Sequence, residues 1–153
     1  MLNPDGVVMG NSRTSAAGKD LNREFLTVRR DLYPEVYHIK SLIARLQKRY
    51  RVLVFLDFHG HSQRKNTFFY GPAYPITHRD YYRCRAFPKL VEKINPSFRF
   101  YGCSFQISEI KKAAARAVAL TQLRVPYAYT VESSVGLYYD PNLMKTFNFT
   151  IET

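Results

Sequence analysis

One segment constrains the fold more than any other, an apolar run that begins at Val52 and breaks into Asp57, His59, Gly60 and His61. A continuous apolar run of this length is typical of a strand buried on both faces, as in a parallel sheet. Ligands of open α/β sheets bind outside the carboxyl ends of the strands. Two imidazoles there indicate a metal site or acid–base chemistry. One buried, hydrogen-bonded His and one solvated loop His is the alternative.

Helical and extended patterns alternate along the chain. The 3.6-residue apolar spacing predicts a helix over 34–50, and further helices are predicted over 80–94, with a break or kink at Pro88, and over 108–123, capped by Ser108. Extended segments are predicted to end at His59, to cover 67–70 and 98–105, and to contain Glu132. This order predicts an α/β fold with a mainly parallel, mixed sheet and flanking helices.

Two short polar segments are candidates for substrate binding and catalysis. Asn22 and Arg23 suit the capture of a carboxylate, because the guanidinium binds it bidentately and the amide adds a donor; a solvated turn is the alternative. Glu132 shares a strand face with the small residues Ala128 and Thr130, which favours a general base or a metal ligand. A charge that protects an edge strand is the alternative for Glu132.

Charge and composition limit the kind of partner. The net charge of +11 attracts polyanions, of which nucleic acid is the generic candidate and acidic protein tails are equally suitable. The basic residues are spread along helices, where a solvated face is the alternative. Cys84 and Cys103 are expected to be reduced thiols. No apolar run approaches about 18 residues and no signal peptide opens the chain, so no membrane association is expected.

Six motifs, taken together and in order, resemble the cytosolic carboxypeptidases, a subfamily of zinc metallocarboxypeptidases that trim glutamates from tubulin and other acidic tails. The resemblance runs from Leu2 to about Gly136. The motifs are Asn-Pro-Asp-Gly, Gly-Asn-x-Arg, Asp-Leu-Asn-Arg, Asp-x-His-Gly-His-Ser, Phe-x-Tyr-Gly and Tyr-Thr-x-Glu-Ser.

The resemblance implies a role for seven residues of the chain. His59 is the third zinc ligand, Glu132 is the general base that deprotonates the zinc-bound water, and Arg13 stabilises the oxyanion. The residues that hold the substrate or orient the site are the terminal-carboxylate pair Asn22 and Arg23, Arg116 for acidic side chains, and Asp20 as a carboxylate that orients a zinc-ligating His.

The implied protein is a zinc-dependent metallocarboxypeptidase that removes C-terminal glutamates from polyglutamylated or acidic, tubulin-like tails. It would be cytoplasmic, with cytoskeletal or ciliary association, and nucleic acid is not the expected partner. Residues 1–153 would form part of the catalytic domain, truncated at its N-terminal side.

The chain departs from the family in one respect that matters. The family's first two zinc ligands come from a His-x-x-Glu motif upstream of Asn-Pro-Asp-Gly, and none of the four His here is followed by Glu at the third position. A catalytic zinc site needs three protein ligands. We therefore expect a fragment, a truncated gene model or an inactive descendant, and an isolated chain without activity. The alternative is a non-catalytic basic module that binds acidic tails or nucleic acid.

Overall fold

The computed structural model describes residues 1–149, which divide into two compact units. The first unit combines Met1–Phe55 with Ile107–Val125, and the second combines Leu56–Gln106 with the chain from Pro126 onward. The division falls within a strand, between Phe55 and Leu56.

The first unit is helical. Helix α1 begins with Pro4, where a missing N–H costs nothing, and the Asn3 side chain caps it by accepting a hydrogen bond from the Gly6 amide at 3.2 Å. The core of the first unit is an apolar cluster of Leu21, Phe25, Tyr33, Val36, Ala115 and Val118. The helical elements are α1 (Pro4–Val8), a 3-10 helix (Leu21–Arg23), α2 (Pro34–Leu46), a 3-10 helix (Glu109–Lys111) and α4 (Ala115–Thr121).

The second unit contains a three-stranded sheet, in which the strands lie in the order β1 (Val54–His61), β3 (Tyr127–Ser134) and β2 (Thr67–Tyr70). β2 pairs antiparallel with β3 and forms isolated parallel bridges to Phe98 and Ser104, so the sheet is mixed. An aromatic core of Phe69, Phe98 and Tyr129 packs with Val131. The elements are β1 (Val54–His61), β2 (Thr67–Tyr70), α3 (Asp80–Ile94), a 3-10 helix (Phe100–Gly102), β3 (Tyr127–Ser134) and the hairpin β4 (Leu137–Asp140) with β5 (Lys145–Asn148).

The predicted α/β fold with a mixed sheet is confirmed, and several element bounds differ. α2 ends at Leu46 rather than at Tyr50, because the following amides bond to carbonyls in tighter turns, Lys48 to Arg45 and Arg49 to Leu46. α3 continues through Pro88 without interruption. The segment 98–105 is extended only at the Phe98 and Ser104 bridges, with a 3-10 helix between them.

The predicted helix over 108–123 is wrong as one element. Ala114 is extended (ψ 152°) and separates the 3-10 helix from α4, and Ser108 makes no side-chain cap. The N–H of Ala115 instead donates to the Asn22 side chain at 2.7 Å, so a residue far away in sequence sets where α4 begins.

The prediction that β1 is buried on both faces is also wrong. Its residues alternate between exposed and half-buried, and Val54 and Phe58 are 44% and 74% exposed. β1 lies at one edge of the sheet that residues 1–149 form. β3, by contrast, is the central strand, so the edge-strand interpretation of Glu132 is wrong.

Both cysteines lie in the second unit and are unpaired, as expected. The buried Cys84 thiol donates to the Tyr81 carbonyl at 3.2 Å, and burial raises its pKa. Burial also raises the pKa of Cys103 to about 11, so both thiols stay protonated at neutral pH. Within residues 1–149, the helices are all too short or too polar to cross a bilayer.

Candidate functional site

A polar cluster in the first unit is centred on the Asp20 carboxylate. Its Oδ2 accepts from Arg13 at 2.9 Å (Nε) and 2.8 Å (Nη2), and the Arg23 Nε lies 4.0 Å away. Its Oδ1 accepts from the Asn22 amide at 2.9 Å and so caps the 3-10 helix Leu21–Arg23. Asp20 therefore fixes the loop that carries both candidate arginines. That it orients a metal-binding His stays a prediction.

The Asn22 side chain is fixed in one orientation. Oδ1 accepts from the Ala115 amide at 2.7 Å, at the start of α4. The Nδ2 end is consequently the part of the amide through which Asn22 could donate to a carboxylate. Arg23 is held close by, since its Nη1 donates to the Asn22 carbonyl at 2.8 Å. The local turn thus presents an amide and a guanidinium side by side, as the capture of a carboxylate requires.

Arg116 differs from the other candidates in its burial. It is the second residue of α4 and only 4% exposed, whereas the Arg13 side chain is 64% exposed. A buried guanidinium is held only where polar partners offset its desolvation. Arg116 is therefore a fixed positive charge at the start of α4 and not a mobile surface group.

The second unit carries the candidate metal ligand on β1. Asp57, His59 and His61 are two residues apart and share one face of the strand. The Nε2 of His59 lies 2.8 Å from Oδ2 of Asp57. A carboxylate on one ring nitrogen fixes the tautomer and orientation of an imidazole that binds metal through the other. Asp57 was not among the site residues predicted from the sequence, although the two-residue spacing in Asp-x-His indicates its place beside His59.

His61 has a different environment from His59. Its Nδ1 accepts from the backbone amides of Gln63 at 3.3 Å and Arg64 at 3.0 Å, and its ring packs edge-on to Phe68 at 5.3 Å. Its visible role is to close the turn after β1. The alternative interpretation, a His in a loop, therefore applies to one of the two imidazoles, that of His61.

Glu132 lies in the central strand of the sheet. It is half-buried and opposite Phe68 of β2, and β3 is also the hydrogen-bonded neighbour of β1, which carries His59. The sheet thus places the candidate base and the candidate ligand on adjacent strands.

The residues described do not fit a complete metal site. Nowhere in residues 1–149 do three His, Cys, Asp or Glu side chains cluster as metal ligands. His59 fits as a single ligand, since Asp57 holds Nε2 and the metal would bind Nδ1. The remaining ligands of a catalytic site, which needs three, would have to come from residues outside this sequence.

Known proteins resemble the chain over most of its length. It is 39% identical to mouse cytosolic carboxypeptidase 2 over 89% of the chain, 40% identical to human cytosolic carboxypeptidase 4 over 88%, and 38% identical to human cytosolic carboxypeptidase 2 over 99%. It spans only 16%, 13% and 17% of those proteins. No protein-family model matches the chain.

Two solved structures have a similar fold. A metallo-carboxypeptidase from Burkholderia cenocepacia gives a TM-score of 0.77 at 25% identity, covering 99% of the chain and 38% of that protein. A metallo-carboxypeptidase from Pseudomonas aeruginosa, in complex with (2-guanidinoethylmercapto)succinic acid, gives 0.71 at 28% identity, covering 87% and 35%.

Proposed function

Because its sequence places this chain in the cytosolic carboxypeptidase family, we propose that it supplies part of the active site of a zinc metallocarboxypeptidase. The enzyme would remove C-terminal glutamates from acidic protein tails such as those of tubulin. The observation that carries the proposal is the 38–40% identity to cytosolic carboxypeptidases over nearly the whole chain. The names of these relatives also support a cytoplasmic location, and we extend the proposal to association with the cytoskeleton or the cilium.

Recognition of a free C-terminus rests on Asn22 and Arg23. The guanidinium of Arg23 would bind the terminal carboxylate, and Nδ2 of Asn22 would add a hydrogen bond. The support for this role is local: Asp20 caps the turn and Ala115 fixes the Asn22 amide. Exopeptidase action would follow, because the pair would hold the terminal α-carboxylate next to the bond that is cleaved.

Proton transfer rests on Glu132 and charge stabilisation on Arg13. Glu132 would take a proton from the attacking water and pass it to the leaving amine. Arg13 would turn its guanidinium toward the oxygen on which negative charge develops. A zinc ion held by His59 and by ligands from outside this sequence would polarise the scissile carbonyl and acidify the water.

The proposed preference for glutamate rests on Arg116 and on the electrostatic field of the whole chain. Arg116 provides a buried positive charge, and the net charge of +11 would draw an acidic tail toward the protein. Both are consistent with an anionic side chain at the substrate's C-terminus.

The test uses a polypeptide in which this segment lies within a complete catalytic domain. Release of C-terminal Glu from an acidic peptide is expected, with a sharp fall when the peptide C-terminus is amidated. Arg116→Gln should reduce the preference for Glu over Leu while the effect of amidation stays unchanged. Arg116→Gln is preferable to a charge reversal, because a carboxylate at this buried position threatens folding. Faster release of apolar residues than of Glu would contradict the glutamate assignment but leave carboxypeptidase activity standing.

A second candidate function is a non-catalytic basic module that binds acidic tails or nucleic acid. It is favoured by the lack of a three-ligand metal cluster in residues 1–149 and by the net charge. Both candidates predict weak zinc binding by the isolated chain, since His59 is the single candidate ligand among residues 1–149. Turnover by a polypeptide that contains this segment separates them. A module is expected to bind an acidic peptide saturably and to release no residue from it, and release of C-terminal Glu would contradict the module.

A further inference from the structure

A shallow cleft in the first unit is formed by the C-terminal half of α2 and the turns after it. Its volume is about 420 Å³, within the range of small-ligand sites. It is lined by Leu42, Arg45, Leu46, Lys48, Arg49 and Tyr50. None of these residues is among the candidate site residues, and a solvated helix face is the alternative interpretation of their cations.

The cleft combines cations without counter-ions and apolar side chains exposed to solvent. Arg45, Lys48 and Arg49 are exposed, and no ion pair or side-chain hydrogen bond within residues 1–149 involves them. The nearby apolar side chains Leu46 and Tyr50 are 38% and 65% exposed. Some of the positive charge is explained by the α2 macrodipole, which favours cations in the last turn of a helix. That effect does not explain apolar side chains exposed beside them.

The backbone that carries the cleft is held in place. The Arg49 and Tyr50 amides both donate to the Leu46 carbonyl, at 3.0 and 2.8 Å. The Gln47 side chain crosses the turn, since its Nε2 donates to the Leu123 carbonyl at 3.0 Å and its Oε1 accepts from the Val52 amide at 3.1 Å. A site fixed before binding loses less conformational entropy when a ligand is bound.

We propose that this cleft, which we call the α2 basic cleft, binds an extended acidic polypeptide segment. The two guanidiniums would pair with successive carboxylates, in the bidentate geometry that arginine favours, and Lys48 would add a third positive charge. Leu42 and Leu46 would pack against the methylene groups of the bound side chains. The inference deepens the proposed binding of acidic tails by giving it a site, and it involves none of the residues assigned to hydrolysis, so its failure would leave the proposed hydrolysis untouched.

The lining favours a peptide over nucleic acid. Proteins that bind single strands combine a basic groove with several aromatic side chains on which successive bases stack. The cleft offers one aromatic ring, Tyr50, beside two leucines. Short aliphatic surfaces flanked by arginines match glutamate side chains better than they match bases.

The test measures binding of a fluorescent deca-glutamate peptide to the chain by anisotropy, at low and at physiological salt. Wild-type protein is expected to bind saturably, and Arg45→Glu with Arg49→Glu should weaken binding at least tenfold. The matched control is Lys65→Glu with Lys93→Glu, because both residues are exposed and lie in the other unit. Both double variants change the net charge from +11 to +7, and the control should change affinity less than twofold.

A neutral double variant, Arg45→Gln with Arg49→Gln, separates lost binding from misfolding. This control is needed because glutamate in the last turn of α2 opposes the helix dipole. It should keep the far-ultraviolet circular dichroism of the wild type and still lose several-fold in affinity. Equal losses in the cleft and control variants, or no saturable binding by the wild type, would overturn the proposal. Tighter binding of a deoxythymidine decamer, lost in the same variants, would also overturn it in favour of a nucleic-acid surface.

Discussion

The His59 imidazole is held at Nε2 by Asp57, so Nδ1 is the ring atom through which it could bind a metal and keep this contact. By residue type and spacing alone, His59 and His61 were equally good candidates, and it was the resemblance of the motifs that singled out His59. The two His are distinguished by contacts that spacing does not encode. A carboxylate lies beside His59, and the amides of the turn bond to His61. The other site roles came from the ordered motifs, because each short polar string is chemically ambiguous by itself.

We predict that Asp57→Ala weakens metal binding by about 10- to 100-fold in a complete catalytic domain, because the carboxylate that orients the ligand is lost. Asp57→Asn should reduce the metal affinity less, since the amide oxygen can still accept a hydrogen bond from Nε2–H of His59. Chelator competition measures the affinity. The control is Asp31→Asn, which removes an exposed carboxylate paired with Arg29. Unchanged affinity in Asp57→Ala would leave the contact without a role in metal binding.

Glu132→Gln tests the general base. In a complete catalytic domain we expect turnover to fall by about 10²- to 10⁴-fold, the usual contribution of a positioned base. Bound metal should be retained, because in the proposed mechanism the carboxylate acts on water and not on the ion. Turnover and metal content are measured on the same preparation. Rates near those of the wild type would remove Glu132 from the mechanism.

At the scale of elements, local sequence patterns were enough to predict α2, α3, β2 and the strand that contains Glu132. They failed at α4, because the start of that helix is set by Asn22, which is distant in sequence. They also failed to predict the β4–β5 hairpin, whose strands are only four residues long and whose pattern is weak. Local patterns thus determined where elements lie, and long-range hydrogen bonds determined where some of them begin.

We predict that Asn22→Ala destabilises the first unit by about 1 kcal/mol, the usual cost of a lost helix cap. Ala114 has the extended backbone of an N-cap residue but makes no side-chain cap. A serine hydroxyl at position 114 would accept from the amide of the second or third residue of α4 and not from that of Ala115. Ala114→Ser should therefore offset part of the loss, by a similar amount with and without Asn22. Urea unfolding of the four proteins in this cycle measures the coupling. A gain confined to the Asn22→Ala background would mean that both side chains bond to the same amide.

At the scale of the whole molecule, β1 has an unusual distribution of side chains for an apolar run. The apolar face with Val54, Leu56 and Phe58 is exposed, and the face with Asp57, His59 and His61 is half-buried. An exposed, apolar edge strand is a template for pairing with another chain. The +11 charge opposes such association through repulsion, and salt screens that repulsion.

We predict that the isolated chain self-associates at rising salt and that Phe58→Lys suppresses this association several-fold. Phe58 is 74% exposed on the edge strand, so the substitution adds charge where pairing would occur without emptying the core. Sedimentation velocity over a concentration series measures the change. The matched control is Tyr101→Lys, which replaces a residue that is 94% exposed and lies outside the strands. Equal suppression by both variants would point to net charge and not to the strand edge.

The amide of Asn22 has a consequence for how this protein can change over evolutionary time. Its Oδ1 holds the start of α4, and its Nδ2 is proposed to bind the substrate. A mutation there would therefore weaken the helix and, under that proposal, the recognition of a C-terminus in a single step. Whether a mutation of Asn22 is tolerated would depend on the order of the substitutions. A hydroxyl gained first at position 114 would offset the stability lost by a later change at Asn22, and the reverse order would pass through a less stable protein. Lineages that lost catalysis would therefore be expected to keep this asparagine long after selection on hydrolysis had ceased.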